Sequence, residues 1–453
     1  MLFKKLSPEK GYRNEFLWLP KKKLTPGGMQ IIKNSLTFFT EGKAPVTAWS
    51  ETADHIMVPR EFIPFHRWAE LDYEMEDVSQ ATFLQVPGVV PTFPLNGPTQ
   101  HLAFEAMVNG GSGRLILSPG KGKTVVALHA WAATQMAGLV VVHTEDLLNQ
   151  WIERIVQHTN VRLSDIGRFQ GATANWEKPI TVAMIHTLAA RAIAHELPDG
   201  FEKHFGVWIF DEMHHLGAPF FNNCAGLSRG IRWGLSATDS RRDGLEPLYQ
   251  HHIGPVLYQN LETDIVPECF FWRTGVELPD DEIPALRDRT GDINLAKLMT
   301  WLSKHEGRNA LILHAVNEAL AEGRKILGLS DRVDQLKFLH GMYPEEDAGL
   351  LIGSVSGEKR VDALQNGNPV FATTQLAKEG LDRKELDTLM LLLPVTDPDM
   401  FRQILGRIQR TCEGKLKPIF VVFEDERIKA TASMCRKLRN HLVALQYPFH
   451  IVN

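Results

Sequence analysis

Leu115-Ile-Leu-Ser-Pro-Gly-Lys-Gly-Lys-Thr124 runs from an apolar stretch through a glycine-bearing turn into Val125–Ala133, which has helical composition. Strand, Gly-rich turn and helix, in that order, are the context a phosphate-binding loop requires. Gly120 and Gly122 carry no Cβ, so their backbone amides can approach phosphate oxygens, and the N-terminus of the following helix adds a favourable dipole. Lys123 is placed to reach β- and γ-phosphates, and Thr124 to offer a hydroxyl to Mg2+. Ser118, Pro119 and Lys121 fill the turn. The general pattern has a glycine six residues before the lysine, where this chain has Leu117.

The texture around this loop is that of layered α/β structure. Strand candidates Arg114–Leu117, Leu139–Val142, Ile180–Met184, Val207–Phe210 and Trp233–Ser236 alternate with longer helical segments. A second series follows: Lys325–Leu329, Val370–Ala372, Thr388–Leu392 and Ile419–Phe423. Two such series predict two parallel-sheet lobes, residues 96–258 and 259–453, joined near Leu257–Thr263. Residues 1–95 read differently, as short β-leaning pieces (Ile31–Phe39, Val46–Trp49, His55–Val58) broken by Pro and Gly. They predict a small accessory domain, closed by a Pro-rich linker at Val86–Pro98.

Composition sets the outer limits. The chain has 453 residues, enough for two or three domains, and an ordinary balance of 44% hydrophobic and 23% charged residues. No apolar run reaches the ~20 residues of a membrane span. Cys224, Cys269, Cys412 and Cys435 form no CxxC pair, which predicts neither a zinc ribbon nor a disulfide framework and favours a reducing, cytoplasmic setting. The net charge of −5 neither announces nor forbids nucleic-acid binding. Charge is uneven, however: residues 1–33 carry eight Lys/Arg, and residues 70–77 carry five carboxylates.

Val207-Trp-Ile-Phe-Asp-Glu-Met-His-His215 ends an apolar strand in two adjacent carboxylates. Such a pair needs a cation: Asp211 suits Mg2+, and Glu212 suits polarising an attacking water. His214 and His215 lack HExxH spacing and a cysteine partner, so zinc is not indicated. Further on, Gln403-x-x-Gly-Arg407-x-x-Arg410 puts two arginines at i and i+3 on a predicted helix, on one face. Guanidinium groups brought to a γ-phosphate speed phosphoryl transfer by ~10³–10⁵.

With these elements in order, the chain resembles the superfamily-two helicases of the DExH type, over about residues 96–425. Asp211–His214 resembles motif II and Ser236-Ala-Thr238 motif III. Thr374–Asp382 resembles motif V, and Gln403–Arg410 motif VI. Val142–Trp151 resembles motif Ia, Ile326–Arg332 motif IV, and Gln100 an adenine-reading glutamine. Ser236–Leu245 with Gly254-Pro-Val256 is similar to the XPB-like branch and the compact phage helicases related to it. Ser118-Pro119 departs from the commoner Pro-Thr of motif I, and Met184 stands where a backbone-contacting Thr is frequent. The resemblance implies two RecA-like lobes, ATP and Mg2+ as cofactors, and a strand crossing both lobes. It implies backbone contacts from Thr144, Ser330 and Thr374, and nucleotide contacts from Gly380 and Asp382. His214, Ser236, Thr238 and Gln403 would couple hydrolysis to the strand. If the chain is phage-encoded, its setting is the host cytoplasm.

The expected activity is ATP-driven unwinding or remodelling of single-stranded, forked or branched DNA. A double-strand translocase that never separates strands, an RNA helicase, and a switch that binds ATP and DNA with little hydrolysis remain open. So do two roles for residues 1–95: a basic grip on duplex DNA, or a cover packed on the first lobe.

Overall fold

A computed structural model describes residues 6–39, 44–79, 83–217, 224, 226–237, 244–262, 265–355, 357–380, 383–395, 398–410 and 412–453. The chain divides into two compact units, Met1–Leu261 and Glu262–Asn453.

The sheet of the first unit has the order Thr173–Asn175, Ile166–Gln170, Ile180–Met184, Gly138–Val142, Val207–Asp211, Ile231–Ser236, Gly113–Leu117, Val256–Asn260. Every pairing is parallel except that of the Thr173–Asn175 edge. The central strands are mostly apolar because helices cover both faces, so alternation would expose no useful side. Gly113–Leu117 and Gly138–Val142 are buried at every residue. Parallel strands all end on one edge, and the loops leaving that edge form the crevice where ligands bind in such sheets. Here those loops follow Leu117, Val142, Asp211 and Ser236.

The second unit repeats the plan with Gly349–Leu351, Val370–Ala372, Ile326–Leu329, Thr388–Leu391, Ile419–Glu424, Glu268–Arg273 and Phe449–Val452, all parallel. The fold is therefore two RecA-like α/β lobes preceded by a small mixed domain. The division falls at Leu261, within the stretch Leu257–Thr263, and Val256–Asn260 pairs with Gly113–Leu117 as an edge strand of the first sheet.

The N-terminal residues form a five-stranded sheet in the order Ser50–Glu51, His55–Pro59, Phe16–Pro20, Gly11–Arg13, Met75–Asp77. Ile31–Phe39, read as extended, is mostly helix: Pro26–Ser35 is helical, with Thr25 accepting a hydrogen bond from Gly28 N. The N-cap threonine followed by proline at the first helical position outweighs the β-branched residues that follow.

This small sheet lies within the first unit and is docked on its core. Arg232, fully buried at the start of the strand Ile231–Ser236, donates to the carbonyls of His252 at 2.9 Å, Ser228 at 2.6 Å and Glu15 at 2.8 Å. Arg60, also buried, donates to Gly230 O at 2.9 Å, and Glu61 N donates to His251 O at 2.8 Å. Phe16 and Phe62 meet His252 and His251 edge-on at 6.0 and 5.1 Å. Burial lowers the His251 pKa to about 4, leaving the ring neutral at that contact. Meanwhile the basic run is internally paired: Lys10 with Glu74, Lys21 and Lys33 with Glu51, Lys22 and Lys23 with Glu9.

The stretch Val86–Pro98 is a strap, not a free linker. Val86 N donates to Gln135 O, Gly88 N to Gln135 Oε1, Val90 N to Asn160 Oδ1 and Thr92 N to His158 O, while Val86 and Val89 join the first lobe's core.

These contacts predict that a chain starting near Val90 will not remain soluble, because it uncovers Arg232 and the surface under Phe16 and Phe62. In the full chain, Arg232→Ala removes the donor to the buried His252 carbonyl and to the part-buried Glu15 carbonyl, at roughly 1–3 kcal/mol for a buried group left unpaired, while Ser228 O keeps Arg60 at 3.4 Å; the unfolding midpoint in a denaturant titration should fall. A soluble truncation with an unchanged midpoint would contradict the docking.

Candidate nucleotide site

The phosphate loop takes its shape from two glycines. Gly120 and Gly122 have φ of +84° and +82°, values costly for any residue with a Cβ. A Cβ on Gly122 would also collide with the Gln100 Nε2. Gln100 lies on the helix Gly97–Gly110, with Nε2 donating to Lys121 O at 3.2 Å and Oε1 accepting from Asn96 N at 2.8 Å. The glutamine is thus fixed against the loop. Ser118 is buried, its N donating to Asn260 O at 3.0 Å and its O accepting from Lys121 N at 3.2 Å. Pro119 turns the chain between them. The helix Lys123–Thr134 starts at Gly122, so Lys123 and Thr124 occupy its first turn. Lys123 Nζ donates to Leu117 O at 3.1 Å, folded back over the loop.

Asp211 closes the strand Val207–Asp211, whose first four residues are buried. Its Oδ2 accepts from the Trp151 indole Nε1 at 2.7 Å and its Oδ1 from Glu212 N at 3.1 Å. Glu212 holds φ at +47°, in the left-handed region that disfavours a side-chain-bearing residue. Such strain persists where surrounding structure imposes it. Desolvation, then the charge of Glu212, raise the Asp211 pKa to about 6, while Trp151 and Lys123 pull it down. Two carboxylates pushed together this way fit a divalent cation, and the Thr124 hydroxyl in the first turn of the helix after the loop fits the same role. His214 follows in a 3-10 turn, Nδ1 3.4 Å from Glu212 Oε2, and His215 stacks on His143 with centroids 3.7 Å apart.

The structure brings Gln100, Ser118–Thr124, Asp211 and Glu212 to one edge of one sheet. Ser236 ends the adjacent strand there, fully buried. Thr238 and Asp382 lie outside the described residues. Gly380 ends the helix Thr374–Gly380 of the second unit. Thr144 caps the helix Glu145–His158, its Oγ1 accepting from Leu147 N at 3.3 Å. Ser330 and Thr374 are buried, and the Ser330 hydroxyl both donates to Gln335 Oε1 at 2.7 Å and accepts from Arg332 N at 3.1 Å.

In the second unit, Gln403 and Arg407 lie on the helix Pro398–Ile408. The Gln403 Oε1 is buried without a hydrogen-bond partner among the described residues. Arg410 falls beyond the helix, not at i+3 within it. Its carbonyl accepts from Lys415 Nζ at 2.8 Å rather than from a following helical amide. Burial lowers the Lys415 pKa to about 8. Trp151 is the site residue that sequence reasoning quoted without giving it a role. Its adjacency to Gln150 in the motif Ia stretch was the available signal.

A phosphate loop, a strand-end carboxylate pair and a second RecA-like lobe together define a nucleic-acid-dependent motor ATPase. Residues 98–241 match the family described as Type III restriction enzyme, res subunit, and residues 295–412 match the helicase conserved C-terminal domain. A putative ATP-dependent RNA helicase of Acanthamoeba polyphaga mimivirus is 29% identical over 71% of this chain and 62% of its own length. A probable helicase of Escherichia phage T5 is 25% identical over 80% of this chain and 78% of its own. A DNA 3'-5' helicase XPB of Kineococcus radiotolerans is 28% identical over 64% and 52%. This chain belongs to the superfamily-two helicases and is similar to their XPB-like and phage members. Among the described residues no helix is long and apolar enough to cross a membrane.

Gly122→Ala places a methyl against Gln100 at an unfavourable φ, so ATP affinity should fall at least ~10-fold, one such step being about 1.4 kcal/mol. Fluorescent-nucleotide titration checks this; wild-type affinity would remove Gly122 from the site.

Proposed function

We propose that this chain is an ATP-driven DNA helicase or translocase, coupling Mg2+-dependent hydrolysis to the unwinding or remodelling of forked or branched DNA. The observation that carries this reading is the meeting of Lys123, Asp211 and Glu212 at the carboxyl edge of one parallel sheet, around a loop shaped by Gly120 and Gly122. DNA rather than RNA is favoured by similarity to relatives named as DNA 3'-5' helicases, although one relative is named as an RNA helicase.

The work divides among the chain's own groups. Loop amides and the first turn of Lys123–Thr134 receive the phosphates, and Lys123 leaves Leu117 O to meet the β- and γ-phosphates. Asp211 and Thr124 would hold Mg2+, which when bound offsets the negative charge of the triphosphate. Glu212 orients a water and accepts its proton as it attacks. Arg407 and Arg410 supply positive charge as the γ-phosphoryl departs. Phosphate-directed contacts to the strand make binding sequence-tolerant and salt-sensitive.

ATPase rate measured separately with single-stranded DNA, duplex, forked DNA and RNA tests the proposal, with forked-substrate unwinding as a second readout. Forked or single-stranded DNA should stimulate most; stimulation by RNA alone would reject the DNA assignment.

Lys123→Ala should abolish hydrolysis while DNA binding persists. Glu212→Gln should bind ATP yet turn over at least ~10-fold more slowly, since the metal-holding Asp211 is untouched. Arg407→Ala and Arg410→Ala should each lower kcat far more than ATP affinity. A variant that loses affinity alone would place that arginine in ground-state binding.

A further inference from the structure

Asp211 has two oxygens, and the chain fixes each with a different donor. Glu212 N donates to Oδ1 at 3.1 Å, and the indole Nε1 of Trp151 donates to Oδ2 at 2.7 Å. Trp151 is 2% exposed, on the inner face of the helix Glu145–His158, whose other buried residues are Leu148, Ile155 and His158. An indole is a donor without charge and without acceptor capacity. A lysine or arginine in its place would neutralise the carboxylate and compete with a metal ion. The indole aims the carboxylate and leaves its charge available. The sequence gives no other reason for a polar handle on a ring buried this far, and buried tryptophan N–H groups generally find a partner.

We infer that Trp151 is a positioning residue for the divalent cation: its indole N–H holds the Asp211 carboxylate in the orientation that ligates the metal. The inference rests on the proposed nucleotide site. It also gives the helix a mechanical role, because Thr144 caps that helix seven residues before Trp151, about 10 Å along its axis. A shift of the capped end moves the donor to Asp211. Groups that orient metal ligands typically contribute 10–100-fold in metal affinity.

The test replaces Trp151 in the full chain with β-(3-benzothienyl)alanine, which keeps the ring's shape and removes the N–H, alongside Trp151→Phe. A fluorescent non-hydrolysable ATP analogue is titrated with and without Mg2+, and the gain in affinity due to Mg2+ is compared. In the isosteric variant the metal-free affinity should stay at the wild-type value while the Mg2+-dependent gain drops about 10-fold. An unchanged gain overturns the inference. So does an equal loss with and without Mg2+, which marks Trp151 as packing alone. If Trp151→Phe does not fold, the isosteric variant still decides. Failure of the wild-type chain to bind the analogue, or to gain affinity from Mg2+, sinks the nucleotide site itself and is thereby distinguished.

Discussion

Asp211 sits where a buried strand ends, with Glu212 beside it and the protein around it poorly able to solvate charge. Desolvation and its neighbour raise its pKa to about 6. Near neutral pH the group is therefore ionised at a cost, and the surroundings are arranged around that cost. Two neutral N–H groups clamp its oxygens, and Lys123 lies near enough to pull the pKa back. The remaining deficit is one a divalent cation removes. Perturbation of this kind, from desolvation plus a like charge at a strand end, characterises groups poised for chemistry rather than for stability. Glu212 points the same way, since its positive φ costs stability and gives back a hydrogen bond to Asp211.

Much of this was legible in the sequence because buried parallel strands are short apolar runs that admit few alternatives. Ile180–Met184 and Val370–Ala372 match their expected bounds, and most others differ by a residue or two. The strands that escaped notice have physical reasons to do so. Ile166–Gln170 carries Gly167, which reads as a turn but is there because a Cβ would strike Thr181 and the Asn175 carbonyl. Gly349–Leu351 is three residues long, and Glu268–Arg273 is charged at both ends. Within the site, the glycines and carboxylates announce themselves by residue type. Trp151 does not, because its role lies in where a ring nitrogen points, which packing decides. The ending of the motif VI helix before Arg410 was likewise invisible, since no Gly or Pro directly follows Ile408 to mark it.

The N-terminal region was the least legible part, because its charge says nothing of which partners the fold supplies. A run of lysines looks like a nucleic-acid stripe when partners are unknown. The fold places Glu9, Glu51 and Glu74 against five of those lysines, so part of the run's charge is offset locally. Exposed pairs of this kind add little stability. What holds the small sheet is the opposite sort of interaction, buried guanidinium groups whose hydrogen bonds end on main-chain carbonyls.

That choice of anchor has a consequence for the motor. Arg232 begins the strand that Ser236 ends, four residues and about 13 Å apart. The accessory sheet grips the base of the strand, whereas the residue resembling motif III lies at its other end, next to the phosphate loop's strand. A strand locked at its base between two parallel neighbours cannot slide in register without breaking both ladders and stripping Arg232 of its carbonyls. The loops and helices such as Glu145–His158 are not tied into those ladders, and that helix reaches the site through the Trp151 bond to Asp211. The accessory sheet thus braces the strand at the end away from the site, and the helix carrying Thr144 and Trp151 is the element that links its capped end to Asp211.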